Sequence, residues 1–279
     1  MELTHEKVLE LLPDRKPDSH KGNYGKLLLL CGSRGYTGAA ALAAMGALRS
    51  GAGLVYVGVP ESIYAIEAVK LTEAIVFPLP EEEGKLSLQA IPTIRKYLKT
   101  MDAVLVGCGL GQSVGTMGVL DMVLREFQGP VVVDADGISM ASQCPELLKE
   151  RKQPTVLTPH EGEFRRLGIA TDKEQIAGAM AAARELHCIM VRKGHRTVIT
   201  DGVEFYVNHT GNPGMAVGGS GDVLAGILTG LLGQGIPPLE AAACTAWLHG
   251  AAGDRCAEKY GQYAMLPTDM LLELHHFLK

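Results

Sequence analysis

The stretch Gly211–Gly235, GNPGMAVGGSGDVLAGILTGLLGQG, decides the fold. From Asp222 onward, Val223, Leu224, Ile227, Leu228, Leu231 and Leu232 recur at helical spacing and make one apolar face. Gly226 and Gly230 fall off that face, where missing side chains let another element come close. Ahead of the helix stand Gly218, Gly219, Ser220 and Gly221. Consecutive small residues leave backbone N–H groups uncovered at the positive end of the helix dipole, an arrangement suited to phosphate. Asp222 then puts a carboxylate at the mouth of a site built for negative charge. Such a residue commonly does no more than stabilise the dipole. Preceded by four small residues and a Gly-Asn-Pro-Gly turn, Asp222 reads better as a general base that takes a proton from a hydroxyl attacking a phosphoryl group.

Outward from that helix the chain alternates. Lys26–Cys31 (KLLLLC) is a continuous apolar run ending at Gly32, the pattern of a strand buried on both faces. Leu54–Val59, Ala74–Phe77, Ala103–Val106, Pro130–Asp134 and Thr155–Thr158 repeat it. Helical patterns over Gly38–Arg49, Ser87–Lys99, Val114–Phe127 and Asp172–Leu186 lie between them. Strand–helix alternation predicts a mostly parallel sheet with helices on both faces. Past residue 188 the runs shorten: Ile189–Arg192, Thr197–Thr200 and Glu204–Val207, parted by the turn signals Lys193–Gly194 and Asp201–Gly202, predict a short antiparallel edge. Asp222–Leu232, Pro238–Lys259 and Pro267–Leu278 complete the chain as helices. With no repeat and no linker-like segment, residues 1–279 are expected to form one α/β domain.

Composition agrees with this. The 279 residues are 47% hydrophobic and 20% charged, which excludes a disordered chain. A net charge of −5 and a pI near 6.0 argue against a nucleic-acid partner. No apolar run is long enough for a membrane span, and the charged start MELTHEKVLELLPDRKPDSHKG is no signal peptide, so the expected location is cytoplasmic. Cys31, Cys108, Cys144, Cys188, Cys244 and Cys256 are scattered and read as buried, reduced thiols.

Six stretches in order carry a resemblance: His20–Gly25 (HKGNYG), Gly32–Ala39 (GSRGYTGA), Val133–Asp136 (VDAD), Leu157–Glu163 (LTPHEGE), Lys193–Ile199 (KGHRTVI) and Gly211–Asp222. The GxGD before a helix resembles the ribokinase-like kinases, and the set as a whole resembles the ADP/ATP-dependent NAD(P)H-hydrate dehydratases, from about His20 to the C-terminus. The resemblance implies a ribokinase-like fold and a kinase-like first step. ADP or ATP, with Mg²⁺, would phosphorylate the hydroxyl of the S form of NADH or NADPH hydrate. Phosphate would then leave, restoring the reduced cofactor and releasing AMP or ADP.

On that resemblance Asp222 is the catalytic base, and Gly219, Ser220 and Gly221 form the anion hole. Lys193, Gly194, His195, Arg196 and Thr197 line the adenine nucleotide, with Gly221 near its phosphates. Ala39, Gly109 in the Gly107–Gly111 turn (GCGLG), and His160 contact the hydrated dinucleotide along with Asp222. Glu163 takes the place of an acidic residue that helps organise Mg²⁺. Each has a plainer alternative: a hairpin for KGHRT, a satisfied polar residue for His160, dipole stabilisation for Glu163, tight helix–sheet packing for the alanines. The sequence departs from the family at Cys108 and Glu161, where Pro is usual. The short region before His20 leaves no room for the epimerase domain fused in some members, so a separate epimerase is expected for the R hydrate. Family members also suggest a homo-oligomer, a tetramer, with the small-residue helix around Trp247 as a candidate for close packing. Two other functions fit less well. One is an ATP-dependent kinase of a small alcohol, of hydroxymethylpyrimidine or hydroxyethylthiazole type, which would usually carry Asn at position 160. The other is a nucleotide-binding regulator, which would not need an intact base and anion hole.

Overall fold

The KLLLL run forms strand β1 (Lys26–Leu30), whose side chains alternate between two cores. Leu27 and Leu29 face one and Leu28 and Leu30 the other, as double-sided burial requires. The computed structural model describes residues 3–169 and 174–279. The remaining strands are β2 (Leu54–Pro60), β3 (Ile75–Leu79), β4 (Glu81–Glu82), β5 (Lys85–Leu86), β6 (Ala103–Val106), β7 (Val131–Val133), β8 (Thr155–Leu157), β9 (Ile189–Arg192), β10 (Val198–Thr200) and β11 (Phe205–Val207). Nine of them make one sheet in the order β11-β10-β9-β8-β7-β6-β1-β2-β3. The run β9-β8-β7-β6-β1-β2-β3 is parallel throughout, and β10 and β11 add the expected antiparallel edge.

The helices are α1 (His5–Leu11), α2 (Thr37–Arg49), α3 (Glu61–Lys70), α4 (Ile91–Leu98), α5 (Val114–Glu126), α6 (Asp136–Ala141), α7 (Glu146–Lys149), α8 (Glu161–Arg166), α9 (Gln175–Leu186), α10 (Ser220–Gly233), α11 (Pro238–Tyr260) and α12 (Pro267–Glu273). Ala40 of α2, Ile227 of α10, Leu248 of α11 and Leu271 of α12 pack into the first core. Ile94 of α4, Val119 of α5, Ile138 of α6 and Ala182 of α9 pack into the second. The two glycines off the α10 stripe do what their position suggests. A methyl on Gly226 would sit 2.1 Å from the Ala43 carbonyl oxygen, and one on Gly230 would sit 2.1 Å from Ser50 Oγ. Helix α2 lies directly against α10 because of them.

Several elements differ from the sequence pattern. Helix α3 was not anticipated: it buries only Ile63 and Glu67, so it has no apolar stripe. The β4–β5 hairpin was also missed, being two residues per strand around Glu83–Gly84. Strand β3 runs on through Pro78, which an edge strand tolerates. The predicted helix Ser87–Lys99 starts as a 3-10 turn, Leu88–Ala90, before Pro92 opens α4. The one over Pro267–Leu278 likewise ends in a 3-10 turn, Leu274–His276. For Asp172–Leu186, α9 covers Gln175–Leu186, while residues 170–173 lie outside the described residues. Five cysteines are buried as expected, but Cys144 is exposed in the α6–α7 turn. Trp247 is covered by its own chain, stacked 5.1 Å from the His5 ring and edge-on to Phe277. Among the described residues no helix is long and apolar enough to cross a membrane.

The strand order places the site. From β1 the chain builds one way through β2 and β3, and from β6 the other way through β7 to β9. The loops leaving β1 and β6 therefore diverge, and open α/β sheets bind ligands in the crevice outside the carboxyl ends at such a point.

Candidate active site

Four parallel strands deliver polar groups to that crevice. The turn after β6 carries Cys108, and Asp134, Thr158 and Lys193 are the residues that directly follow β7, β8 and β9. Asp134 is almost fully buried, and its carboxylate is heavily used. Its Oδ1 accepts hydrogen bonds from Thr158 Oγ1 (2.6 Å) and Lys193 Nζ (2.9 Å), and its Oδ2 accepts one from Cys108 Sγ (3.5 Å). A buried carboxylate needs such partners to stay charged. Burial alone would lower the Lys193 pKa, but the charges of Asp134 and Glu163 outweigh it and raise it, so the ammonium is secure.

The first turn of α10 closes the site from the other side. Gly219, at its N-cap, has φ +101°, and a side chain there would also strike Leu42 Cδ1 at 2.5 Å. Gly218 opens onto free space, and a methyl at Gly221 would lie 3.2 Å from Lys193 Nζ. The unpaired N–H groups of a first helical turn and an ammonium thus converge on one spot, a strong anion site. Ser220 departs from expectation. Its hydroxyl donates to the Met215 carbonyl (2.7 Å) and its N–H points to the Val217 carbonyl (3.3 Å), so it shapes the loop from within. The preceding GNPG turn is tied to α11: Gly211 N–H donates to Asp254 Oδ2 (2.8 Å), and Asn212 Nδ2 donates to Asp254 Oδ1 and the Gly253 carbonyl (both 3.0 Å).

Asp222 faces Asp134 across this centre. Its pKa is pushed up to about 6, first by burial and then by the Asp134 charge, while a hydrogen bond from Cys108 and the Lys193 charge pull it down. A carboxylate in that range is poised to take and hold a proton near neutral pH. His249 of α11, near Lys193 and the Ser220 backbone, is held neutral by burial and by Lys193, with its pKa lowered to about 4.

A cleft of about 730 Å³ opens in front of Asp222, lined also by Tyr36, Ala39, Gly109, Asp136, Glu163 and Arg166. Ala39 stands in the first turn of α2, after the loop that leaves β1, and Gly109 in the turn that leaves β6. Gly109 has φ +58°, and a methyl on it would lie 2.8 Å from the Ala39 methyl. Ala135 on the wall holds φ +49° and ψ −116°, a strained conformation for a residue with a side chain.

The structure brings some expected residues together and leaves others at the rim. Ala39, Gly109, Asp222 and Glu163 share the cleft, and Lys193 and Gly221 meet beside it. Lys193 stands at the phosphate end of that meeting point, whereas the rest of KGHRT forms the β9–β10 hairpin. There Gly194 N–H points to Thr197 Oγ1 (3.3 Å), and Gly194, His195 and Arg196 are exposed. His160 caps α8. Its Nδ1 accepts from Gly162 N–H (3.0 Å) and Glu163 N–H (3.2 Å), and Glu163 Oε2 accepts from His160 N–H (2.9 Å) in return. Glu163 is therefore a buried capping carboxylate. The HKGNYG motif lies at the opposite end of the sheet, where it caps a 3-10 turn ahead of β1 and packs on Gly233. Sequence reasoning gave no role to Asp134 or Thr158, although both stand at the carboxyl end of a predicted parallel strand.

Comparison with known proteins places the chain. A model of the NAD(P)H-hydrate dehydratase family matches residues 27–275. The chain belongs to the NAD(P)H-hydrate dehydratase family. It is 39% identical over 255 residues to an ADP-dependent (S)-NAD(P)H-hydrate dehydratase of Neisseria meningitidis, covering 88% of this chain and 82% of the relative. It is 44% identical over 277 residues to a bifunctional NAD(P)H-hydrate repair enzyme of Moorella thermoacetica, covering 96% of this chain but 52% of the relative. The chain thus spans about half the length of the bifunctional relatives it matches. Among solved structures, the ADP/ATP-dependent NAD(P)H-hydrate dehydratase of Bacillus subtilis, co-crystallized with ATP and Mg²⁺, superposes with a TM-score of 0.83 at 32% identity, over 98% of this chain and 96% of that one. A Pyrococcus horikoshii hydroxyethylthiazole kinase (TM-score 0.61, 16% identity, 98% and 90% covered) shares the fold alone. The fold is ribokinase-like, as expected from the sequence.

Cys108, Asp134 and Asp222 place one ligand-type atom each within 4.8 Å of one another. They do not fit a Mg²⁺ cage. A thiol is a poor partner for this hard cation, and Asp134 is already bound to Thr158 and to an ammonium that would repel a metal. Glu163 is committed to the α8 cap.

Proposed function

We propose that the chain catalyses the nucleotide-dependent dehydration of the S form of NADH or NADPH hydrate, a metabolite-repair reaction. The observation that carries this reading is the position of Asp222: a carboxylate with its pKa near 6, facing a cleft on one side and the anion site of α10 and Lys193 on the other. Asp222 takes the proton of the ring hydroxyl as that oxygen attacks the terminal phosphorus of ADP or ATP. Gly219, Gly221 and Lys193 hold the transferring phosphoryl group where its charge peaks. The C–O bond of the new ester then breaks with phosphate leaving, and loss of a ring proton restores the double bond. Ala39 and Gly109 shape the wall against which the dinucleotide lies, with His160 at its rim, and Gly194–Thr197 border the adenine. ADP is the donor favoured by the Neisseria relative. Mg²⁺ comes on this reading with the nucleotide's own phosphates.

The test is an absorbance trace at the reduced-nicotinamide band, with NADH hydrate, Mg²⁺ and either ADP or ATP. A nucleotide-dependent rise with stoichiometric phosphate release is expected, and it names the donor. A flat trace from folded, nucleotide-binding protein would move the assignment to a small-alcohol kinase, whose product is a stable phosphate ester.

A further inference from the structure

Two carboxylates face each other at the heart of the site, and the ammonium beside them is spent on one side: Lys193 Nζ sits on Asp134 Oδ1, the same oxygen that Thr158 reaches. What lies between the remaining oxygens is a neutral donor. Cys108 is fully buried, its Sγ is 3.5 Å from Asp134 Oδ2, and Sγ and a carboxylate oxygen of each aspartate fall within a 4.8 Å triangle. The thiol of Cys31, at the end of β1, lies behind it.

We propose that Cys108 is a positioning residue whose S–H is shared between Asp134 and Asp222, holding the two carboxylates at their separation and easing the ionisation of Asp222. The proposal rests on the reading of Asp222 as the base. The thiol can serve because it stays protonated: contact with Cys31, burial and both aspartate charges all hold its pKa well above the usual range. A neutral donor suits this place. A second cation would quench the base, whereas an S–H group lowers the repulsion and leaves both negative charges in being. Asp222 is faced by Asp134 from β7, by Lys193 from β9 and by Cys108 from the β6 turn, with Cys31 behind Cys108 and Glu163 of α8 beyond Lys193.

The experiment is a titration of the aspartate side-chain carboxyls by ¹³C NMR in the free protein, with the Asp222 signal identified by its loss in Asp222→Asn. Wild type, Cys108→Ala and Cys108→Ser are compared. Removal of the donor in Cys108→Ala is expected to move the Asp222 titration up by about half a pH unit, and Cys108→Ser to return it to or below the wild-type value. The acid limb of kcat/KM should follow, giving about a threefold loss for Cys108→Ala near pH 5.5 and none at pH 8. An unmoved Asp222 titration in folded Cys108→Ala overturns the proposal, as does an upward shift that Ser fails to reverse. Because the NMR readout needs no substrate, it decides the role of Cys108 even if wild type proves unable to dehydrate NADH hydrate, an outcome that would count against the proposed function alone.

Discussion

The centre of the site and its rim are built in opposite ways. At the centre, Asp134, Lys193, Cys108 and Asp222 come from four different elements and satisfy one another, so none serves its own backbone. At the rim, His160 and Glu163 cap the helix they begin, and Gly194 and Thr197 close their own hairpin. Central groups are held by tertiary contacts and are free to act on a ligand. Rim groups already have local work, and a ligand must share them.

The sharpest break in that contrast is Asp222→Asn. Turnover should fall by about three orders of magnitude or more while ADP binding stays measurable, since the amide keeps the shape and loses the base. Stability should move the other way. A carboxyl whose folded pKa is raised, here to about 6, favours the folded state at low pH and loses that contribution as pH rises through 6. Asp222→Asn should therefore stabilise the protein by about 2 kcal/mol at pH 8 and by nothing below about pH 4. Denaturant melts at the two pH values check this, and equal stability at both would mean Asp222 is better solvated than its surroundings imply.

Lys193→Met comes next. It strips Asp134 of its cation and the anion site of its ammonium. Removing one partner of a buried pair costs about 3 kcal/mol, and losing a charge-stabilising donor costs about 10²-fold in kcat. The acid limb of the rate profile should also rise, because Lys193 pulls the Asp222 pKa down. A variant that lost stability but kept its rate would confine Lys193 to holding Asp134 in place.

The same contrast explains what could be read from the sequence. The parallel sheet, the antiparallel edge and α10 all follow from periodicity, because each is an apolar pattern with one solution. Asp222 was legible because the small residues before it are local. Ala39 and Gly109 could be matched one by one, but their contact depends on the chain diverging at β1 and β6, which is a property of strand order. Asp134 was missed for a related reason. Its partners Thr158 and Lys193 lie 24 and 59 residues away, and no local pattern announces them. Helix α3 and the β4–β5 hairpin escaped because they bury too little to leave a stripe.

The smallest effect separates the two duties of His160. Its side chain is 55% exposed, so the outer edge of the ring is open to a ligand while Nδ1 caps α8 and Nε2 lies 3.4 Å from Glu163 Oε1. His160→Ala should weaken dinucleotide binding by about tenfold, leave ADP nearly unaffected, and cost about 1 kcal/mol for the lost cap. Asn is among the best N-cap residues, so His160→Asn should recover the stability. It should not recover the dinucleotide KM, because its shorter side chain spends its oxygen on the cap and presents no ring beyond it. Thermal melts and KM values for both substrates decide the matter. If Asn restores melting temperature and KM together, the rim is structure alone, and recognition of the dinucleotide belongs wholly to the Ala39–Gly109 wall.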